Sequence, residues 1–348
     1  MKKILRLILG LVKWAVITLL VVEVLAFLIL TLVNIFIYGG IWEGSKVNYD
    51  AYTLFREGLR PTRNNPSNPA ESKNLRTIWM FGGSTMRSGC TNDDAKTIAS
   101  FLAGILNRGE KPQSFMIYNF GENSFNSLLE TKYLQKTLIE RPIRPNLITF
   151  YDGSNECVYF SQTLTPYAHH GYQKVQALIE SHRRSLLGLF KPLAAAVYAS
   201  FTWEIIGKMQ QTVIPISADS PELRDFVDMT EQRYDYVNQQ AGFYGAKFLL
   251  FWQPILWVET CEAAPAVRKI ENDYAINKAR FMAVRENFQV VYLALAQRLR
   301  DKPYFVDFQN ILCSRTEPAY KHDGVHLEDY GRMMVAKEMS RVLQEKGF

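Results

Sequence analysis

The chain has 348 residues and a formal charge of +6, and 48% of its residues are hydrophobic. Lys2, Lys3, Arg6 and Lys13, set against Glu23, put half of that charge in the first 38 residues. No lysine/arginine run of the kind that tracks a phosphate backbone follows, so nucleic acid is not an expected partner. What remains after an apolar N-terminal segment, roughly 300 residues, suits one large domain with a substantial core.

Residues 1–13 are basic, and residues 14–38 are apolar except for Thr18, Glu23, Thr31 and Asn34. That run is long enough to cross a bilayer as a helix. The flanking cations place its N-terminal end in the cytoplasm and the rest of the chain outside the membrane. A cleaved signal peptide is the competing reading; the run is too long for one, and no small-x-small site follows it cleanly. Glu23, inside the run, reads either as a polar contact for another membrane protein or as a protonated or snorkelling side chain. Residues 39–75 are polar, with prolines and several Asn and Ser, and read as a stalk leaning on the domain.

From residue 76 the pattern alternates. Short apolar runs at 77–81, 115–120, 147–151, 247–252 and 304–308 read as buried strands. Between them lie segments with apolar residues at helical spacing: Ile98, Phe101, Leu102 and Ile105; Leu223, Phe226, Val227, Tyr234 and Val237; Phe281, Val284, Phe288, Val291 and Leu295; and a terminal set from Met333 to Leu343. Ser127-Leu128-Leu129-Glu130 has the form of a capping box opening a further helix. The expected fold is α/β: a three-layer α/β/α, flavodoxin-like parallel sheet of about five strands over residues 76–348. An aromatic-rich insert at 156–219 is the irregular part. It reads as a lid, a glycan-stacking wall, a membrane-facing surface or a helical subdomain with its own core.

Four cysteines are present, with no Cys-x-x-Cys pair. An oxidising compartment permits disulfides. The favoured pairing is Cys90–Cys157 with Cys261–Cys313, and four free thiols stay open as the alternative.

Four short blocks follow the strands: Phe81-Gly82-Gly83-Ser84, Asn119-Phe120-Gly121, Gly153-Ser154-Asn155 and Asp323-Gly324-Val325-His326. Ligands of an open α/β sheet bind beyond the carboxyl ends of its strands, so all four converge on one edge. Each alone is a weak signal; four in register with the strands are not. Ser84, in a tight turn after Gly82 and Gly83, is a hydroxyl that needs a base in contact to act as a nucleophile. His326 can be that base, and Asp323 can fix its tautomer. The Ser84 and Gly121 N–H groups and the Asn155 amide can hold an oxyanion. Trp252 and Gln253, at the end of the fourth strand, are candidates to line a substrate cleft. His169-His170 lacks a third ligand at suitable spacing, so no metal is expected, and no cofactor is implied.

These blocks resemble the SGNH hydrolases of the GDSL esterase/lipase superfamily, over about residues 76–347. The resemblance implies a nucleophile at Ser84, oxyanion donors at Ser84, Gly121 and Asn155, a base at His326 and a supporting acid at Asp323. Two departures stand out: the family's Gly-Asp-Ser is here Gly83-Ser84 preceded by Gly82, and Glu156 stands where Asp is usual. With one N-terminal membrane helix, the chain is similar to membrane-anchored bacterial members associated with surface polysaccharides. The function so implied is a serine esterase outside the inner membrane. Its substrate would be an acyl ester, acetyl first, of a cell-envelope glycan or lipid-linked glycan. Acyl transfer to a sugar hydroxyl, or a non-catalytic glycan-binding or assembly subunit of the same fold, are the alternatives.

Overall fold

In a computed structural model of the chain, the described residues are 2–38, 48–69, 74–108, 114–172, 175–176, 179–180, 197, 200–209, 215–272, 274 and 282–348. They divide into two compact units. One comprises Met1–Ser45 and Gly171–Thr212, the other Lys46–His170 and Val213–Phe348.

The larger unit is built on five parallel strands: β3 (Arg76–Gly82), β4 (Phe115–Asn119), β5 (Leu147–Asp152), β6 (Lys247–Trp252) and β7 (Phe305–Asp307). The order across the sheet is β4-β3-β5-β6-β7, so the winding reverses beside β3. β5 is buried at every position, as a strand covered on both faces must be. Side chains alternate between the faces. Ile78 and Met80 of β3 enter one core with helices α3 (Ile98–Leu106), α9 (Met282–Leu299) and α10 (Asp329–Glu345). Trp79 and Phe81 enter the other, with α4 (Ser127–Glu140) and the later part of α7 (Pro221–Phe243). Each such aromatic, fully buried, contributes on the order of 2 kcal/mol.

Part of the segment read as a stalk is packed onto this unit. Residues 48–56 form a small antiparallel hairpin, β1 (Asn48–Asp50) and β2 (Leu54–Arg56). The next residues cover the edge strand β4. Arg60 donates its N–H to the Asn119 carbonyl at 3.0 Å. The Asn65 amide pairs with both the N–H (2.9 Å) and the C=O (2.8 Å) of Ile117, as a neighbouring strand would. An open strand edge is a template for aggregation, and here an asparagine side chain closes it.

Three local expectations change. The helix α4 already includes Ser127, the first residue of the proposed capping box, and its N-cap is Asn126, one residue earlier. Glu130 turns into the core instead, and Glu156 accepts the Ser127 N–H at 2.7 Å. Residues from 156 onward begin inside a core helix, α5 (Ser154–Thr163), with Phe160 stacked on Phe226 at 4.3 Å. The disulfide Cys261–Cys313 forms with a Cα–Cα distance of 5.7 Å, but Cys90 and Cys157 are free. Cys157 is wholly buried in the hydrophobic core, whereas the Cys90 thiol sits beside the Leu327 carbonyl and the Arg332 guanidinium.

The smaller unit contains α1 (Lys2–Tyr38), in which the stretch Lys3–Val33 is long and apolar enough to cross a membrane. It also contains α6 (Phe201–Met209). Glu23 of α1 accepts hydrogen bonds from Phe201 N–H, Thr202 N–H and the Thr202 hydroxyl, so within this unit its partner is the chain itself.

Candidate active site

β3 ends at Gly82, and the chain turns at Gly83 straight into a four-residue helix, α2 (Ser84–Arg87). Both glycines are sterically required. A Cβ on Gly82 would lie 2.5 Å from Met86 Cβ and 2.9 Å from the Tyr151 carbonyl. A Cβ on Gly83 would collide with the Asn155 amide nitrogen and lie 2.9 Å from the Phe125 carbonyl. The turn therefore delivers the Ser84 hydroxyl, half-buried and reachable, at the carboxyl end of β3. The Ser84 N–H, at the first helical position, has no acceptor within the helix.

His326 reaches the same point from the loop before α10. Its Nε2 lies 2.8 Å from Ser84 Oγ, and its Nδ1 lies 2.6 Å from Asp323 Oδ2. Asp323 Oδ1 accepts the backbone N–H groups of Val325 (3.0 Å) and His326 (2.9 Å). Burial pushes the Asp323 carboxyl up, but the His326 charge and these hydrogen bonds outweigh it and hold it below the usual carboxylate range. The carboxylate thus stays ionised, which fixes the ring with its proton on Nδ1 and leaves Nε2 to accept from the serine.

The loop itself is pinned. An antiparallel bridge joins Tyr320 to Leu327, Lys321 N–H donates to the His326 carbonyl at 2.8 Å, and Leu256 N–H donates to the Gly324 carbonyl at 2.9 Å. Below it, Tyr320 Oη donates to Glu259 at 2.6 Å, and Arg315 bridges Glu259 and Glu271.

Asn155 follows β5 on the first turn of α5. Gly153 makes that turn with φ +140, outside the range of residues with a side chain. The Asn155 amide donates one N–H to the Phe125 carbonyl at 2.5 Å, which orients the group and leaves its second N–H for another acceptor. Glu156 accepts from both Gly153 N–H (3.0 Å) and Ser127 N–H (2.7 Å), so one carboxylate caps two helices.

Gly121 is brought to the site but is already engaged. Its N–H donates to Asn119 Oδ1 at 2.9 Å, and Asn119 Nδ2 donates to the Met86 carbonyl at 3.2 Å. Its bare Cα faces Arg87, where a Cβ would collide with the backbone nitrogen, so Gly121 lets the loop press against α2. Neighbouring Glu122 accepts from Glu57 N–H (2.9 Å) and Gly58 N–H (2.7 Å), with Arg87 at 3.6 Å. Burial nevertheless pushes the Glu122 carboxyl up to about 7.

Trp252 and Gln253 do not line a cleft. Trp252 is completely buried and tilted against Tyr292 with ring centroids 5.2 Å apart. Gln253 is 2% exposed, and its Oε1 accepts from the Thr85 hydroxyl at 2.8 Å. Gln253 thus supports α2 from beneath, a role the sequence could not signal because its partner lies 168 residues away. Of the adjacent histidines, His169 Nδ1 sits 2.7 Å from the His170 carbonyl, and the His170 ring packs edge-on against Phe55.

No protein-family model matches the chain, and no curated protein matches it. Among solved structures it is similar to the acetyl xylan esterase AlAXEase, at 11% identity and TM-score 0.41, covering 77% of this chain and 99% of that one. A carbohydrate acetylesterase family member from Sinorhizobium meliloti matches at 16% identity and TM-score 0.36, covering 78% and 98%. An acetylxylan esterase from Geobacillus stearothermophilus matches at 13% and 0.40, covering 79% and 96%.

Proposed function

We propose that the chain is a membrane-anchored serine esterase that works through an acyl-enzyme on Ser84. One observation carries the reading: an unbroken hydrogen-bonded line runs from the Ser84 hydroxyl through His326 to Asp323, with steps of 2.8 and 2.6 Å. Both are within proton-transfer reach. In the first step His326 Nε2 takes the serine proton as Oγ bonds to the ester carbonyl carbon, and the carbonyl oxygen becomes an oxyanion. The Ser84 N–H and the second Asn155 N–H are the donors for it; the Gly121 N–H joins only by sharing or leaving Asn119. His326 then returns the proton to the leaving alcohol. Water repeats the sequence in reverse and frees the acid.

The long apolar α1, preceded by Lys2, Lys3, Arg6 and Lys13, supports anchoring with the N-terminus in the cytoplasm and the larger unit outside the inner membrane. That location favours an acyl ester, acetyl first, of a cell-envelope glycan or lipid-linked glycan. The test is turnover of an acetyl ester by the full chain in detergent, with acetate release measured. Ser84→Ala should abolish it while leaving the fold intact by circular dichroism. Equal turnover by Ser84→Ala would overturn the mechanism. With the native glycan, acetate appearing as a new sugar ester instead of free acid would assign transfer in place of hydrolysis.

A further inference from the structure

α1 is bare on nearly every side, yet one stripe is covered: Glu23, Ala26, Phe27, Leu30 and Thr31 are partly or fully buried while Val24, Leu25, Leu28, Ile29 and Leu32 are exposed. The spacing is that of a single helix face. Glu23 lies at one end of this stripe and takes the first N–H groups of α6, and the Phe27 and Phe201 rings meet at 5.2 Å. The covered stretch, residues 23–31, runs about 12 Å along α1, close to the roughly 13 Å length of the nine-residue α6.

The depth of that contact follows from length. A helical span needs about 20 apolar residues, and the part of α1 that carries no lysine or arginine, where such a span fits, is residues 14–38. Any window of that length within the run contains the whole of 23–31. Whatever lies on the stripe therefore lies inside the bilayer.

We infer that α6 is a second membrane-embedded segment, a re-entrant helix whose start is capped at membrane depth by Glu23. The inference rests on the reading of α1 as a membrane span. Both ends of the segment join the larger unit, so a stretch that enters the bilayer must return to the same side. A helix that begins within hydrocarbon exposes N–H groups that no water can satisfy, and backbone breaks at that depth occur only where protein satisfies them. Glu23 does so for Phe201 and Thr202, and Thr202 adds its hydroxyl at 2.7 Å. The otherwise costly carboxylate in the apolar run thereby gains a role.

The test uses the full chain in phosphatidylcholine vesicles, with Cys90→Ser to remove background labelling and nitroxides placed singly by Leu19→Cys, Ile205→Cys and Phe243→Cys. Membrane-soluble oxygen should relax the labels at 19 and 205 more than a water-soluble nickel chelate does. Phe243, 84% exposed in the larger unit, should show the reverse. Nickel-dominated relaxation at 205 with oxygen-dominated relaxation at 19 overturns the re-entrant helix and leaves the anchor standing. Nickel-dominated relaxation at both overturns both. In Glu23→Leu the label at 205 should shift toward nickel, while Glu23→Gln, which keeps an acceptor oxygen, should hold it in lipid. An unmoved label in Glu23→Leu overturns the capping role.

Discussion

Asp323 grips His326 twice: one carboxylate oxygen lies 2.6 Å from ring Nδ1, and the other accepts the backbone N–H of the same residue at 2.9 Å. The double hold fixes both the ring and the main chain that carries it. Asp323→Asn keeps the shape but offers an amide that can donate to Nδ1, favouring the tautomer in which Nε2 carries the proton. Activity should fall by about 10³–10⁴-fold with little change in KM. Steady-state kinetics on an acetyl ester checks this, and a loss under tenfold would count against the proposed roles.

Asn155 is oriented by a bond to Phe125 that has no part in the chemistry, so its second N–H is free for an oxyanion. Asn155→Ala should lower kcat about 10²–10³-fold, leaving KM nearly unchanged, because the bond forms only in the transition state. Gly83→Ala reaches the same group from the other side, since the new methyl occupies the space of the amide. A mild effect of Asn155→Ala would shift the burden to the backbone donors.

Much of this was legible in the primary structure, and the failures share a cause. Strands β3 to β7 follow apolar runs because a parallel strand is buried on both faces, and the four blocks follow the strand ends because the topology puts loops there. The misread features depend on distant partners. Ser127 and Glu130 satisfy a local capping pattern, but Glu156 from another helix competes for the Ser127 N–H and wins. Trp252 and Gln253 sit where cleft residues sit, but the Trp252 ring packs on Tyr292 and the Gln253 amide accepts from Thr85. The Asn65 clasp on Ile117 spans 52 residues and leaves no periodic trace. Of the two expected cysteine pairs, the one that failed needed a core-facing Cys157 to reach a loop.

Glu122 costs the fold stability as pH rises from the acid range to neutral. Its carboxyl is pushed up to about 7 by burial, against an ordinary value of about 4.3. Between those values the folded chain holds a proton that the unfolded chain has lost, so stability is greatest at the acid end and falls as pH rises toward 7. The full cost, on the order of 3 kcal/mol, is present above that. Glu122→Gln carries no such penalty. Chemical denaturation at pH 5 and pH 8 should show the variant gaining relative to the parent as pH rises. An equal difference at both pH values would mean that the Arg87 guanidinium and the two N–H donors keep Glu122 ionised throughout.

Tyr320 stands at the root of the hairpin that carries His326, the proposed base. Its hydroxyl, wholly buried, donates to Glu259, whose other oxygen is held by Arg315. Tyr320→Phe removes one hydrogen bond to a buried carboxylate and nothing else, so it should cost about 1.5–3 kcal/mol in thermal or denaturant unfolding. The hairpin is tied across its base by the Tyr320–Leu327 bridge, so slack at residue 320 passes to His326. A drop in kcat of about tenfold is expected, equivalent to about 1.4 kcal/mol in the barrier, with KM unchanged. Lost stability with kcat intact would confine the Glu259–Arg315–Glu271 network to holding the fold.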